Sequence, residues 1–376
     1  MTKLLVNIAT AFLTLVYWCL TLLPTHDRIV CLSRQSDDEP RDFVLIRNYA
    51  ERHYPDYEVV SLAKALHSPI AYIPHMFRQL YYIATSRAVV LDSYCIVVGL
   101  LYKRIRVPVI QMWHGLGNMK KFGYSAIGEP EGHSAKVADV MHMHRGYTSV
   151  LISSLSFADD FAQGFGVDPS IMYEAPLPRT DLLIDEGVKM RERERIFELY
   201  PELRGKKTIV YAPTFRKVAS DNEAEAMARL VGCVDFSRYN FVYMAHPVST
   251  QRINDKRVLQ GYDHSCNMLY VADYVISDYS TVIYEAGLLG VPVYLYTYDW
   301  ESYSERRSLY IDIMHDVPTL VTDDPQQIFN AIEHDDFDAE AYRAFVHRNV
   351  TLPEQGSCTE RVVNHIFDLI EADEKA

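Results

Sequence analysis

The sequence predicts an α/β protein made of two Rossmann-like domains that face each other across a cleft, behind an apolar amino-terminal helix. Three observations carry that expectation. The chain has 376 residues, beyond the size at which one hydrophobic core usually keeps growing. Short runs rich in β-branched residues recur in two successive series, separated by helix-length segments. Polar side chains collect at the carboxyl ends of those runs, where open parallel sheets bind ligands.

In chain order, residues 1–27 come first. Leu4 to Leu23 is a stretch of twenty residues without a charge, which as a helix would be about 30 Å long, enough to cross a bilayer core. Lys3, Asn7, Thr10, Thr14 and Thr21 nevertheless share one helical face. Such a stripe suits a helix lying in the membrane interface, or docked on protein, better than a lipid-surrounded span. A cleaved signal peptide fits less well, because the stretch is long for an h-region and no small-x-small site follows it. The first strand series is "RIVCLS" (28 to 33), "YEVVSL" (57 to 62), "AVVLDS" (88 to 93), "VPVIQMW" (107 to 113) and "SVLISS" (149 to 154). A charged stretch over 186 to 207 reads as an exposed helix at a domain boundary, which predicts domains over 28–195 and 196–345. The second series is "TIVYAPTF" (208 to 215), "NFVYMAHP" (240 to 247), "YVISD" (274 to 278) and "VPVYLY" (291 to 296). Residues 346–376 are expected to end the chain as a helix.

Composition excludes several functions. A formal net charge of −13 argues against nucleic acid as the main partner, since neutralising phosphates needs a basic surface. Six cysteines without a Cys-x-x-Cys pair suit a reducing compartment. No strand is followed by G-x-G-x-x-G, and there is no P-loop and no G-x-S-x-G elbow, so dehydrogenase, P-loop and α/β-hydrolase readings lose their usual support. His142 and His144 of "MHMHR" lack third and fourth ligands nearby in sequence, so no metal and no cofactor is expected. The remaining constellation lies at strand ends. His114 follows "VPVIQMW" and precedes two glycines, Lys120 and Lys121. Arg179 and Asp181 stand in "EAPLPRTD". Thr214, Arg216 and Lys217 close one strand and His246 another, while Ser280, Thr281 and Glu285 crowd the turn after "VISD". Arg and Lys suit phosphate oxygens, and a helix start adds backbone donors. Each group also has a structural explanation: Ser280 as a helix cap, a strand-end histidine on a loop carbonyl, Arg179 or Arg216 as a bridge between domains.

Taken together, "WHGLGNMKKFG", "LPRTD", "YAPTFR", "HP", "SDYSTVIYEA" and "DWESYSERRSLYID" resemble, in order and approximate spacing, the CDP-glycerol glycerophosphotransferase family, which builds teichoic-acid-like polymers in bacterial envelopes. The resemblance covers roughly 107 to 317, and "EQGSCTERV" carries it into the tail. Gly115, Leu177 and Ser308 depart from the family pattern without touching the phosphate residues. The resemblance implies a glycosyltransferase-B fold, a nucleotide donor on the carboxyl-terminal domain and a lipid-linked acceptor on the other. It also implies a location at the cytoplasmic face of the cell membrane, peripheral or monotopic. The expected partners are CDP-glycerol, a polyprenyl-diphosphate-linked saccharide acceptor and the membrane surface. CDP-ribitol, or a nucleotide sugar on the same fold, is the alternative donor. In the implied reaction an acceptor hydroxyl attacks the β-phosphate and displaces CMP, which needs a base and positive charge around the phosphoryl group. His114 is the expected base, with His246 as the competing catalytic candidate. His246, Thr214, Arg216, Ser280 and Thr281 are expected on the pyrophosphate, Arg179 and Arg307 on phosphate charge, and Glu285 on a ribose or glycerol hydroxyl.

Overall fold

Most of the runs read as strands are covered on both faces. Arg28–Ser33 (β1), Ala88–Leu91 (β3), Ser149–Ile152 (β5), Tyr274–Ser277 (β10) and Val293–Tyr296 (β11) are buried at every position, the pattern of a parallel sheet with helices on both sides. The computed structural model of the protein describes residues 2–132, 134–216, 223–245, 249, 251–263 and 265–375. His246 and Lys217 lie outside the described residues.

The chain folds as two units. One contains residues 1–115, 122–181 and 351–376, the other residues 116–121 and 182–350. In the first, β1, Glu58–Ala63 (β2), β3, Val109–Gln111 (β4), β5 and Met172–Glu174 (β6) form an all-parallel sheet of order β2-β1-β3-β4-β5-β6. Its helices are Thr2–Leu20 (α1), Arg41–His53 (α2), Pro69–Thr85 (α3), Ile96–Leu101 (α4), Ala135–Val140 (α5) and Ala158–Phe165 (α6). The strand order reverses between β1 and β3, which makes that crevice its topological switch point.

Thr180–Ile184 (α7) spans the junction at Asp181. In the second unit, Glu186–Leu199 (α8) leads into Lys207–Tyr211 (β7), Glu223–Gly232 (α9), Tyr239–Tyr243 (β8) and Val258–Leu259 (β9). Then come β10, Val282–Leu288 (α10), β11, Trp300–Ser304 (α11), Val321–Thr322 (β12), Pro325–Glu333 (α12) and Ala339–Asn349 (α13). The order β12-β11-β10-β7-β8-β9, again parallel, puts this unit's switch point between β7 and β10. Its core is rich in tyrosine: Tyr211, Tyr243, Tyr294 and Tyr296 are buried with Ile209, Phe241 and Ile276.

These units correct three sequence-based boundaries. The junction falls at 181/182 rather than 195/196, because α8 packs on turns at 201–203 and 268–271 of the second unit. The carboxyl-terminal helix Cys358–Lys375 (α14) packs on α2 and belongs to the first unit. Asp181 fastens it there: its carboxylate accepts from the Cys358 N–H (2.8 Å), the Thr359 N–H (2.9 Å) and the Thr359 hydroxyl (2.6 Å). Finally, residues 1–27 are no separate segment. Leu13 and Tyr17, each 6% exposed, lie in the same cluster as Val30, Leu80, Ile83, Val89 and Val98, so the inner face of α1 is part of the first unit's core.

Candidate functional site

In the first unit, His114 stands just beyond β4, next to the switch point, and is exposed. Its ring is oriented from below. Nδ1 lies 2.9 Å from the main-chain carbonyl oxygen of Asp92, at the end of β3. A carbonyl only accepts, so the proton sits on Nδ1 and the lone pair on Nε2. The Gln35 amide nitrogen lies 3.2 Å from the same Nδ1, and that protonation favours the amide orientation presenting its oxygen instead. From the backbone side, Arg179 Nη2 donates to the His114 carbonyl at 2.6 Å. The same residue binds Asp42 twice, through Nη1 (2.7 Å) and its main-chain N–H (2.8 Å). Arg179 thus holds the His114 turn.

The turn itself is strained. Trp113 has φ of 61°, a left-handed conformation unusual for a bulky residue and costing on the order of 1–2 kcal/mol. Gln111, fully buried, stabilises it: Oε1 accepts the Trp113 N–H at 2.9 Å while Nε2 donates to the Ser93 carbonyl (3.2 Å) and the Tyr147 hydroxyl (3.1 Å). The Trp113 ring is wedged against Phe122 and Phe165, with centroids 4.5 and 5.2 Å away. Beneath His114, Asp92 is 4% exposed and its Oδ1 has no hydrogen-bond partner. Burial pushes its carboxyl up to about 6, against Ser33 and Ser93 hydroxyls that pull it down, with Asp42 adding to the rise.

In the second unit, the turns after β7 and β10 meet at the switch point. Ala212 N–H donates to the Ile276 carbonyl (2.9 Å) and the Ser277 hydroxyl to the Ala212 carbonyl (2.8 Å). Asp278 Oδ1 accepts the N–H of Thr214 (2.8 Å) and of Tyr279 (2.6 Å), tying both turns to one carboxylate. Ser280 Oγ accepts the Val282 N–H at 3.4 Å, a loose cap, and the Thr281 side chain makes no capping bond. Glu285 lies one turn into α10 and Arg307 follows α11, both half-buried.

Arg216 corrects the sequence-based expectation of a direct phosphate ligand. It is 7% exposed. Its Nε and Nη2 donate to Asp299 (2.7 and 2.9 Å), Nη2 also to Asp278 Oδ2 (2.9 Å), and Nη1 to the Thr214 carbonyl (2.8 Å). Burial alone would lower its pKa, but Asp278 and Asp299 more than offset that and keep it charged. Arg216 therefore builds the turns rather than facing a ligand. Sequence reasoning missed Asp92, Gln111 and Asp299. The first was legible as the last residue of "AVVLD", whereas the other two became visible only through their partners.

Among the described residues, no group of three or more His, Cys, Asp or Glu side chains is placed to hold a metal ion. A cavity of about 420 Å³ lies at the opposite, amino end of β7 and β8. Its basic residues are engaged within the unit, Arg238 with Glu333, Lys207 with the Tyr274 hydroxyl and Lys206 with the Phe236 carbonyl.

Over 364 residues the chain is 29% identical to the teichoic acid ribitol-phosphate primase of Bacillus spizizenii, covering 93% of each. Over 303 residues it is 25% identical to the teichoic acid glycerol-phosphate primase of Bacillus subtilis, covering 79% of this chain and 77% of that one. The wall teichoic acid polymerase TagF shares the fold, with a TM-score of 0.75 at 16% identity and 99% of both chains covered. A UDP-bound Staphylococcus aureus MnaA is a more distant likeness, with a TM-score of 0.58 at 14% identity and coverage of 92% and 97%. The two parallel sheets are thus those of the glycosyltransferase-B fold. With residues 15–368 matched to one family, the strand-end residues of both units included, the chain belongs to the CDP-Glycerol:Poly(glycerophosphate) glycerophosphotransferases.

Proposed function

We propose that this transferase of teichoic acid synthesis moves glycerol phosphate from CDP-glycerol to a hydroxyl of a membrane lipid-linked acceptor, releasing CMP. The observation that carries the reading is His114: an exposed imidazole whose Nδ1 donates to a carbonyl, which puts the ring's basic lone pair on Nε2. The acceptor oxygen attacks the β-phosphorus, its proton passes to Nε2, and the bond to the CMP oxygen breaks as the new phosphodiester forms. Arg179 keeps the imidazole in place. In the second unit Thr214, Ser280, Thr281 and Arg307 are assigned to the donor phosphates, with His246, and Glu285 to a donor hydroxyl. Ribitol phosphate is the second reading. It is favoured by the higher identity, 29% against 25%, to the ribitol-phosphate primase.

The acceptor class proposed is a polyprenyl-diphosphate-linked saccharide, met at the cytoplasmic face of the membrane. Leu4, Leu5, Ile8, Phe12, Leu15 and Trp18 of α1 are exposed, as are Ile70, Ile73 and Phe77 of α3. Phe12 and Phe77 meet edge to face at 6.4 Å. The commitment of Leu13 and Tyr17 to the core supports an in-plane helix over a spanning one.

Turnover of CDP-glycerol and CDP-ribitol with defined lipid-linked acceptors tests the function. The expected result is polyol phosphate transfer with release of CMP. His114→Ala is expected to lower kcat by about 10²- to 10⁴-fold, the range for losing a general base, with donor affinity unchanged. Transfer of a sugar in place of a polyol phosphate, or full kcat in His114→Ala, would refute the reading.

A further inference from the structure

We infer that Lys120 supplies the positive charge on the donor diphosphate that Arg216 cannot. The inference rests on the proposed nucleotide donor and adds a residue to its site.

The need for such a cation follows from the switch point of the second unit. Among the described residues there, one formal positive charge, Arg216, faces two formal negative ones, Asp278 and Asp299, at 2.7 to 2.9 Å. The buried cluster is therefore closed to a further anion and carries a net negative charge. A diphosphate brought to the turns after β7 and β10 meets that charge unless another cation stands in front of it.

Lys120 stands there. Its Nζ donates to Thr214 Oγ1 at 3.2 Å, and Thr214 is one residue pair away from the buried cluster, its N–H on Asp278 and its carbonyl on Arg216. The lysine is half-buried, and its ammonium lies beside Thr214, just beyond the carboxyl end of β7. A compact ammonium is a suitable point charge for phosphate oxygens.

The way Lys120 is held argues for a built position. Residues 116–121 belong to the second unit, although their neighbours on both sides belong to the first. An antiparallel bridge pairs Lys120 with Leu309, flanked by Lys121 N–H to the Ser308 carbonyl (3.0 Å) and Tyr310 N–H to the Met119 carbonyl (2.8 Å). From the other side, the Tyr284 hydroxyl of α10 donates to the Asn118 carbonyl at 2.6 Å. Gly117 has φ of 62°, and a Cβ there would lie 2.4 Å from the Tyr284 ring, so only glycine fits. Both anchors, the segment Ser308–Tyr310 and helix α10, adjoin the residues Arg307 and Ser280–Glu285. The lysine is thus set by the same parts as the other donor residues.

The test is calorimetric binding of CDP and of inorganic pyrophosphate to the full-length protein and to Lys120→Ala, Lys120→Arg and Lys121→Ala. Lys120→Ala is expected to weaken both ligands by about 10- to 100-fold, the span of one charge-assisted hydrogen bond. Lys120→Arg should recover most of that loss, and Lys121→Ala should match the parent. Lys120→Met, which keeps a long unbranched side chain without the charge, serves if the alanine variant is poorly folded. Unchanged affinity in a folded Lys120 variant would overturn the inference, as would equal losses in Lys120→Ala and Lys121→Ala, which would mark a diffuse surface charge. Pyrophosphate carries no base, so a parent protein preferring UDP to CDP would refute the cytidine donor while leaving the Lys120 result readable.

Discussion

Asp92 shows how much one residue at a strand end can do. Its main-chain carbonyl sets the tautomer of His114, and its carboxyl is buried below with a pKa of about 6. The folded protein holds that proton more tightly than the unfolded chain, whose carboxyl titrates near 3.8. The group therefore favours folding most below pH 3.8, loses that contribution between 3.8 and about 6, and above that leaves a buried carboxylate costing about 3 kcal/mol. Asp92→Asn is accordingly expected to gain stability over the parent at pH 8, by up to that amount less the weakened bonds to Ser33, Ser93 and Arg34, and to gain none at pH 4. Urea unfolding at the two pH values checks it; an equal difference at both would show that ionisation is irrelevant. Gln111 is as consequential and was illegible in the sequence. A glutamine in "VPVIQMW" reads as one polar residue in a strand, and nothing local announces that it steadies a left-handed tryptophan two positions on.

At the scale of elements, the strands that the sequence revealed are the central ones and the six-residue edge strand β2. β1, β3, β5, β10 and β11 are covered on both faces and leave continuous apolar runs. The ones it did not reveal, β6, β9 and β12, are edge or near-edge pieces of two or three residues, too short for any periodicity and defined only by their neighbour. Arg216 failed for a related reason: its partners Asp278 and Asp299 are 62 and 83 residues away, so its charge was readable and its neutralisation was not. Asp181 repeats the lesson. In "LPRTD" it resembles a ligand-facing acid, yet it caps α14 with three hydrogen bonds. Asp181→Ala should cost about 1–2 kcal/mol, as for loss of a strong helix cap, and speed amide exchange in the first turns of α14 while leaving α8 to α13 protected. Protection unchanged in α14 would mean the helix is held by its packing alone.

For the molecule as a whole, a net charge of −13 means that attraction to an anionic lipid surface has to be local. The membrane contact proposed above uses the exposed apolar residues of α1 and α3, and Arg106, close enough to Tyr17 to draw its phenol pKa down against the rise that burial causes, places a positive charge at the same end. Trp18→Glu combined with Ile70→Glu is expected to reduce co-sedimentation with phosphatidylglycerol vesicles several-fold without altering the thermal unfolding midpoint, since both side chains point away from the core. Undiminished co-sedimentation would exclude this face. The path of the chain between its two units bears on a different question, that of recombination. Because 116–121 sits among residues 182–350, and 351–376 among the first hundred and eighty, a gene cut once at the 181/182 junction yields two incomplete halves. A chimera made to exchange donor preference by grafting 182–350 alone would seat a foreign Tyr284 against the native Gly117 and a foreign Thr214 beside the native Lys120. Functional hybrids within this family should therefore be recovered only when the two stretches travel together, and natural sequence exchange should show the same linkage.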